Sequence, residues 1–211
     1  MVDQISSNIR WHSGSVGRSQ REALLGQHGV TVWLTGLSGS GKSTIAFAAE
    51  KALVEVGHLA VCLDGDNLRH GLCADLSFTT KDRTENVRRV GEVAKLFVES
   101  GVIVLASFVS PTRSGRDTVR SLLGPSDFLE VYVQASLATC EGRDVKGLYG
   151  KARAGEVSDF TGLAAPYEPP EHPDLVLDTE SLHVDETVAM LVNLLVISRK
   201  IAGPLANDPG E

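Results

Sequence analysis

Short apolar runs recur along this chain, each followed by a longer stretch in which apolar positions return every third or fourth residue. The runs at 30–35, 59–64, 102–107, 128–133 and 175–178 are rich in Val, Leu, Ile and Phe, the pattern of strands covered on both faces. Between them the helical period predicts helices at roughly 42–56, 81–100, 115–123 and 137–143, with a last one near 184–200. In the second helix Val87, Val90, Ala94 and Phe97 fall on one stripe. Strands alternating with helices predict an α/β fold with a five-stranded, mainly parallel sheet covered on both faces.

Two segments interrupt the alternation. Residues 1–29 are polar and rich in Ser and Gly, and predict an arm rather than a core element. Residues 144–173 hold Lys146, Lys151, Arg153, several glycines and Pro166, Pro169, Pro170 and Pro173. A stretch that long without periodicity is read as a functional lid or a disordered insert. The expected plan is an arm at 1–29, one domain at 30–200 with a lid at about 144–173, and a tail at 201–211.

Composition narrows the class. The chain has 211 residues, enough for one substantial core, and its 42% hydrophobic and 22% charged content is that of an ordinary globular protein. A net charge of −7 argues against general nucleic-acid affinity, yet clustered arginines can still hold a small anion. Cys62, Cys73 and Cys140 are widely spaced and read as reduced thiols. The chain begins without an apolar stretch behind a basic one, and its longest apolar stretch, 190–197, contains Asn193. No signal peptide and no membrane span are expected, and the expected location is cytoplasmic. The histidines never fall at H-x-x-x-H spacing, so no zinc site is expected.

The first predicted strand runs directly into Gly36-Leu37-Ser38-Gly39-Ser40-Gly41-Lys42-Ser43, followed by Thr44. The spacing G-x-x-x-x-G-K-[ST] is that of a loop whose backbone N–H groups cradle the phosphates of a nucleoside triphosphate. Glycines let the loop curl into an anion-binding concavity, and the following helix adds the positive end of its dipole. Lys42 can reach the β- and γ-phosphates, and the Ser43 hydroxyl can ligate Mg²⁺.

Ligands of open α/β sheets bind beyond the carboxyl ends of the strands. Two further clusters follow strand ends, Asp64-Gly65-Asp66-Asn67 and Phe108-Val109-Ser110-Pro111, so three clusters should converge. A phosphoryl-transfer site needs a carboxylate that orients Mg²⁺ or accepts the proton of the attacking hydroxyl. Asp64 and Asp66 suit those tasks; they are equally at home as turn formers. Asp66, farther past the strand, is the better candidate for contact with an acceptor.

Arg69, Arg83, Arg88 and Arg89 follow, with Asn86 one turn from Arg83. Guanidinium forks bind two oxygens of a phosphate or sulfate at fixed geometry. Arg69 and Arg83 are the better candidates, while Arg88 reads as part of a solvated face. Phe78 and Phe160 stand in polar loops; they can stack on a purine or anchor those loops to the core. Ser110 has no neighbouring base in sequence, which favours a substrate hydrogen bond or a backbone turn over nucleophilic attack. Lys146, Lys151 and Arg153 can neutralise charge once a lid closes, or form a solvated basic loop.

Together these segments resemble the adenylylsulfate kinase family over nearly the whole chain. The resemblance is carried by Asn8-Ile9-Arg10-Trp11-His12, the phosphate loop, Leu63-Asp64-Gly65-Asp66-Asn67-Leu68-Arg69-His70-Gly71-Leu72, and Asp82-Arg83-Thr84-Glu85-Asn86-Val87-Arg88-Arg89. Lys146-Gly147-Leu148-Tyr149, Lys151-Ala152-Arg153-Ala154-Gly155-Glu156, Asp159-Phe160-Thr161-Gly162 and Pro166-Tyr167-Glu168-Pro169-Pro170 extend it. The resemblance implies a P-loop kinase fold of three α/β/α layers, usually a homodimer, in sulfate assimilation. It implies phosphorylation of the 3′-hydroxyl of adenosine 5′-phosphosulfate (APS) by MgATP, giving 3′-phosphoadenosine 5′-phosphosulfate and ADP.

On that reading ATP sits on residues 36–44, Ser43 and Asp64 face the metal, and Asp66, Lys42, Ser110 and Lys146 are the catalytic set. The acceptor is held by Asp66, Asn67, Arg69, Phe78, Arg83, Asn86, Val109, Ser110, Lys146 and Phe160. Ser110 matches a serine described in the family as a phosphorylated intermediate, although in-line transfer requires none. Thr112 and Cys73-Ala74 depart from the family pattern. No sulfurylase domain is expected in this chain, and association with an ATP sulfurylase is left open. The rival readings are a P-loop kinase for another small acceptor, such as a nucleoside monophosphate or sugar acid, and a nucleotide-dependent switch or binding scaffold.

Overall fold

The computed structural model describes residues 8–10, 12–144, 146–157 and 159–202. Trp11 of the N-terminal motif, residues 1–7 of the expected arm and residues 203–211 of the expected tail lie outside the described residues. The elements are α1 (Arg18–Leu25), β1 (Val30–Thr35), α2 (Lys42–Glu55), β2 (Ala60–Asp64), α3 (Gly65–Leu68), α4 (Thr80–Glu99) and β3 (Ile103–Ser107). Then come α5 (Arg113–Leu123), β4 (Phe128–Gln134), α6 (Leu137–Arg143), α7 (Leu148–Arg153), β5 (Leu175–Asp178) and α8 (Val184–Ile197).

The five strands form one sheet in the order β2-β3-β1-β4-β5, and every pairing is parallel. All residues of β1 and β3 are buried, as strands covered on both faces require. Alternation along β1 sends Val30, Val32 and Leu34 into one core layer with Ile45, Ala49 and Leu53 of α2 and Leu191 and Leu195 of α8. Trp33 points the other way, into a second layer with Val87, Val90, Ala94 and Val98 of α4 and Val119 of α5.

Helix α2, which leaves β1, and helix α5, which leaves β3, therefore cover opposite faces. The adjacent strands β1 and β3 flank the topological switch point, and a crevice opens at their carboxyl ends. Register brings three strand ends level: Asp64 of β2 pairs with Ser107 of β3, and Leu34 of β1 pairs with the same Ser107.

The expected strands match to within a residue, and the sheet is wholly parallel. Val98, not Phe97, completes the buried stripe of α4, with Phe97 only partly buried. The last helix stops at Ile197, short of residue 200, and Arg199 beyond it has φ 57°, incompatible with continuing the helix. Three helices escaped the periodicity. Helix α1 has no buried residue, so no apolar stripe marks it. It is tied down by Arg18, which pairs with Asp127 and Glu22 and donates to the Gly29 carbonyl at 3.0 Å. Helices α3 and α7 are too short for a period to register.

Candidate active site

A cleft of about 850 Å³ lies at the carboxyl end of the sheet, walled by the loops after β1, β2 and β3, by α4 and by the 144–161 segment. The three sequence clusters do converge on it. In the loop after β1, Gly39 (φ 80°) and Gly41 (φ 101°) adopt left-handed backbone conformations that L side chains rarely take. A Cβ on Gly39 would also stand 2.8 Å from the Cys140 carbonyl oxygen, so α6 presses directly on the loop.

Lys42 is folded inward, and its Nζ donates to the Leu37 carbonyl at 2.6 Å. Burial lowers its pKa to about 8, outweighing the pull of Asp64 and Asp66. The Ser43 hydroxyl donates to Asp64 Oδ2 at 2.7 Å and lies 3.2 Å from the Ser107 hydroxyl. The other oxygen of Asp64 caps α3, accepting from the N–H groups of Asp66 (3.0 Å) and Asn67 (3.3 Å). One carboxylate thus has two tasks, and the cap turns Asp66 out past the strand end. There Asp66 forms an ion pair with Lys146.

The arginines separate by their partners. Arg88 and Arg89 are held by the carboxylates of Glu85, Glu92 and Asp75, as a solvated helix face would hold them. Arg69 and Arg83 form no ion pair among the described residues and bind neutral oxygens instead. Arg69 donates to the carbonyls of Leu76 and Ser77 and lies 4.2 Å over the Phe78 ring. Arg83 donates to the Phe78 and Asp159 carbonyls and to the Thr161 hydroxyl. Burial, and then repulsion from Arg69, lowers the Arg83 pKa. Close by, the buried Asn86 amide has an Nδ2 without a hydrogen-bond partner among the described residues.

The two phenylalanines line the cleft differently. Phe78 is exposed, with Arg69 over its ring; Phe160 is buried edge-on against Tyr149, ring centroids 4.9 Å apart. Ser110 has φ 38°, and its hydroxyl accepts from Trp33 Nε1 (3.0 Å) and donates to Thr35 Oγ1 (2.9 Å), with no base among its partners. Thr35 in turn donates to the Val109 carbonyl. Of the proposed acceptor residues, only Asn67 is absent from the cleft lining. Lys151 and Arg153 are absent from it too, and Arg153 is paired with Glu141.

Sequence reasoning passed over Arg143 and Thr179. Arg143 donates to both oxygens of Thr179 and to the Gly39 carbonyl, while Thr179 donates to the Ser40 carbonyl. Tyr149 carries no signal in the sequence beyond its motif, yet its hydroxyl donates to the Ser38 carbonyl and ties α7 to the phosphate loop. The one available signal for Arg143 was its place at the end of a predicted helix beside the expected lid. Thr112, which departs from the family pattern, caps α5 by accepting from the Gly115 N–H, and Cys73 is fully buried.

A family profile described as adenylylsulphate kinase matches residues 28–178. The adenylyl-sulfate kinase of Prochlorococcus marinus is 55% identical over 90% of this chain and 95% of its own length. That of Citrobacter koseri is 56% identical over 89% of this chain and 93% of its own. Among solved structures, the Mycobacterium tuberculosis APS kinase in complex with AMPPNP and APS superposes with a TM-score of 0.77 at 48% identity, covering 80% of this chain and 98% of its own. The chain belongs to the adenylylsulphate kinase family.

Proposed function

We propose that this cleft transfers the γ-phosphoryl group of ATP to the 3′-hydroxyl of adenosine 5′-phosphosulfate. The observation that carries the acceptor side is the pair Arg69 and Arg83, without carboxylate partners among the described residues, beside the exposed ring of Phe78 and the buried amide nitrogen of Asn86. Two forks, an aromatic face and a buried donor suit a purine that carries a dense anion. A phosphate loop alone requires none of them.

In this reading residues 36–44 hold the triphosphate and Lys42 exchanges the Leu37 carbonyl for phosphate oxygens. Ser43 and Asp64 present hard oxygen donors 2.7 Å apart at the mouth of that loop, a set that fits Mg²⁺ shared with phosphates. When bound there, the metal would neutralise charge on the β- and γ-phosphates. Asp66 orients the acceptor hydroxyl and takes up its proton, while Lys146, already paired with it, neutralises developing charge. Transfer is direct and in line, and Ser110 serves the acceptor wall, since its hydroxyl faces no base. Residues 144–173 act as the lid over a domain at 30–200, and the active form is a homodimer.

The test is a panel of acceptors with ATP and Mg²⁺, read by coupled ADP release. Adenosine 5′-phosphosulfate should be turned over far faster than AMP or a sugar acid. Faster turnover of AMP or a sugar acid would favour a kinase for another small acceptor, and nucleotide binding without turnover would favour a switch.

A further inference from the structure

Arg116 on α5 is only 1% exposed, and it does not line the cleft. Its three donor positions are all engaged: Nε with Glu130 Oε1 of β4 at 2.6 Å, Nη1 with the Ser110 carbonyl at 2.7 Å, and Nη2 with the Glu168 carbonyl at 2.7 Å. A buried guanidinium–carboxylate pair is a poor source of stability, because desolvation cancels much of the attraction. What this fork does is fix two carbonyls on chain segments far apart in sequence. One belongs to Ser110, whose φ of 38° is costly for a residue with a Cβ. The other belongs to the 166–170 strap. There the Tyr167 hydroxyl lies 3.0 Å from Thr35 Oγ1, and the Glu168 N–H donates to the Pro111 carbonyl at 2.8 Å.

We infer that Arg116 is a positioning residue for the phosphoryl acceptor, holding the strained Ser110 corner and the strap at 166–170 so that Val109 and Ser110 face the cleft. The inference rests on the acceptor reading above. Only a planar fork can serve a carboxylate and two carbonyls at once, so lysine cannot substitute. Among the described residues these groups hydrogen-bond to β1 at Trp33 and Thr35 and to no residue of 36–44, so the nucleotide side should be insensitive to them.

The experiment compares the wild type, Arg116→Lys and the double variant Arg116→Met/Glu130→Met. The double variant removes both buried charges together and leaves Arg120, Glu130's other partner, partly exposed to water. Thermal unfolding, binding of a non-hydrolysable ATP analogue and kcat/KM for the acceptor are measured on each. A folded double variant should lose on the order of 10²-fold in kcat/KM for the acceptor. Its affinity for the ATP analogue should stay within about twofold of wild type. Acceptor kinetics like those of the wild type would overturn the inference, and so would equal losses on the nucleotide and acceptor sides. If the double variant does not fold, the same comparison on Arg116→Lys decides between these outcomes. A wild type inactive with adenosine 5′-phosphosulfate would instead strike the function itself and remove the basis for both.

Discussion

Asp66 and Asp64 sit two residues apart and do different things because one is spent as a helix cap. Asp64 accepts two backbone N–H groups and the Ser43 hydroxyl, while Asp66 is left to meet Lys146 over the cleft. Asp66→Asn keeps the size of the side chain and removes its capacity as a base. It should lower kcat on the order of 10²-fold or more with ATP-analogue affinity unchanged, measured by ADP release and by direct binding. The arginines offer a second contrast. Arg83→Met should raise the acceptor KM by about 10-fold or more, as loss of a charge-assisted contact of roughly 1.5–3 kcal/mol implies. Arg88→Met, which removes a paired surface charge, should leave both substrates' KM unchanged. Order along the chain favours Arg69 and Arg83 over Arg88 as candidates for the acceptor. That they lack carboxylate partners among the described residues is not legible there, because pairing is a property of three-dimensional neighbours. Arg143 shows the same limit, since its contacts with Gly39 and Thr179 join residues that no period or spacing connects.

Helix α4 carries Arg83 and Asn86 into the cleft, and its first turn is fixed by the Thr79 hydroxyl, which accepts from the Asp82 N–H at 3.2 Å. Thr79→Ala should cost about 1 kcal/mol and lower Tm by about 2–4 °C in a thermal melt. Because the frayed turn bears Arg83, the acceptor KM should rise while the KM for ATP does not. At this scale most elements were legible, the short α6 and β5 among them, whereas α1, α3 and α7 were not. Strands with apolar runs and helices with a buried stripe announce themselves. Helix α3 is made by Asp64's side chain rather than by its own pattern, and α7 buries one large residue, Tyr149, against Phe160. Gly91 within α4 also has its reason in packing: a Cβ there would stand 3.2 Å from Val119 on α5.

At the scale of the whole molecule, the alternation of β and α fixes the sheet, the sheet's switch point fixes the crevice, and the crevice collects groups from the ends of β1, β2 and β3. The donor side was legible from one contiguous motif. The proposed acceptor side assembles residues from 66 to 160, which no single motif joins, and the support we infer for it, Arg116, lies buried outside the cleft. A homodimer should elute at twice the chain mass when size-exclusion chromatography is read by light scattering, and a monomer at active concentrations would remove that part of the proposal. Label tracing tests the phosphoryl transfer most directly. With [γ-³²P]ATP, Mg²⁺ and adenosine 5′-phosphosulfate, the label should appear on the 3′-oxygen of the adenosine product, one for each ADP formed, with none when the acceptor is omitted. ADP formation without a 3′-labelled nucleotide would contradict the account.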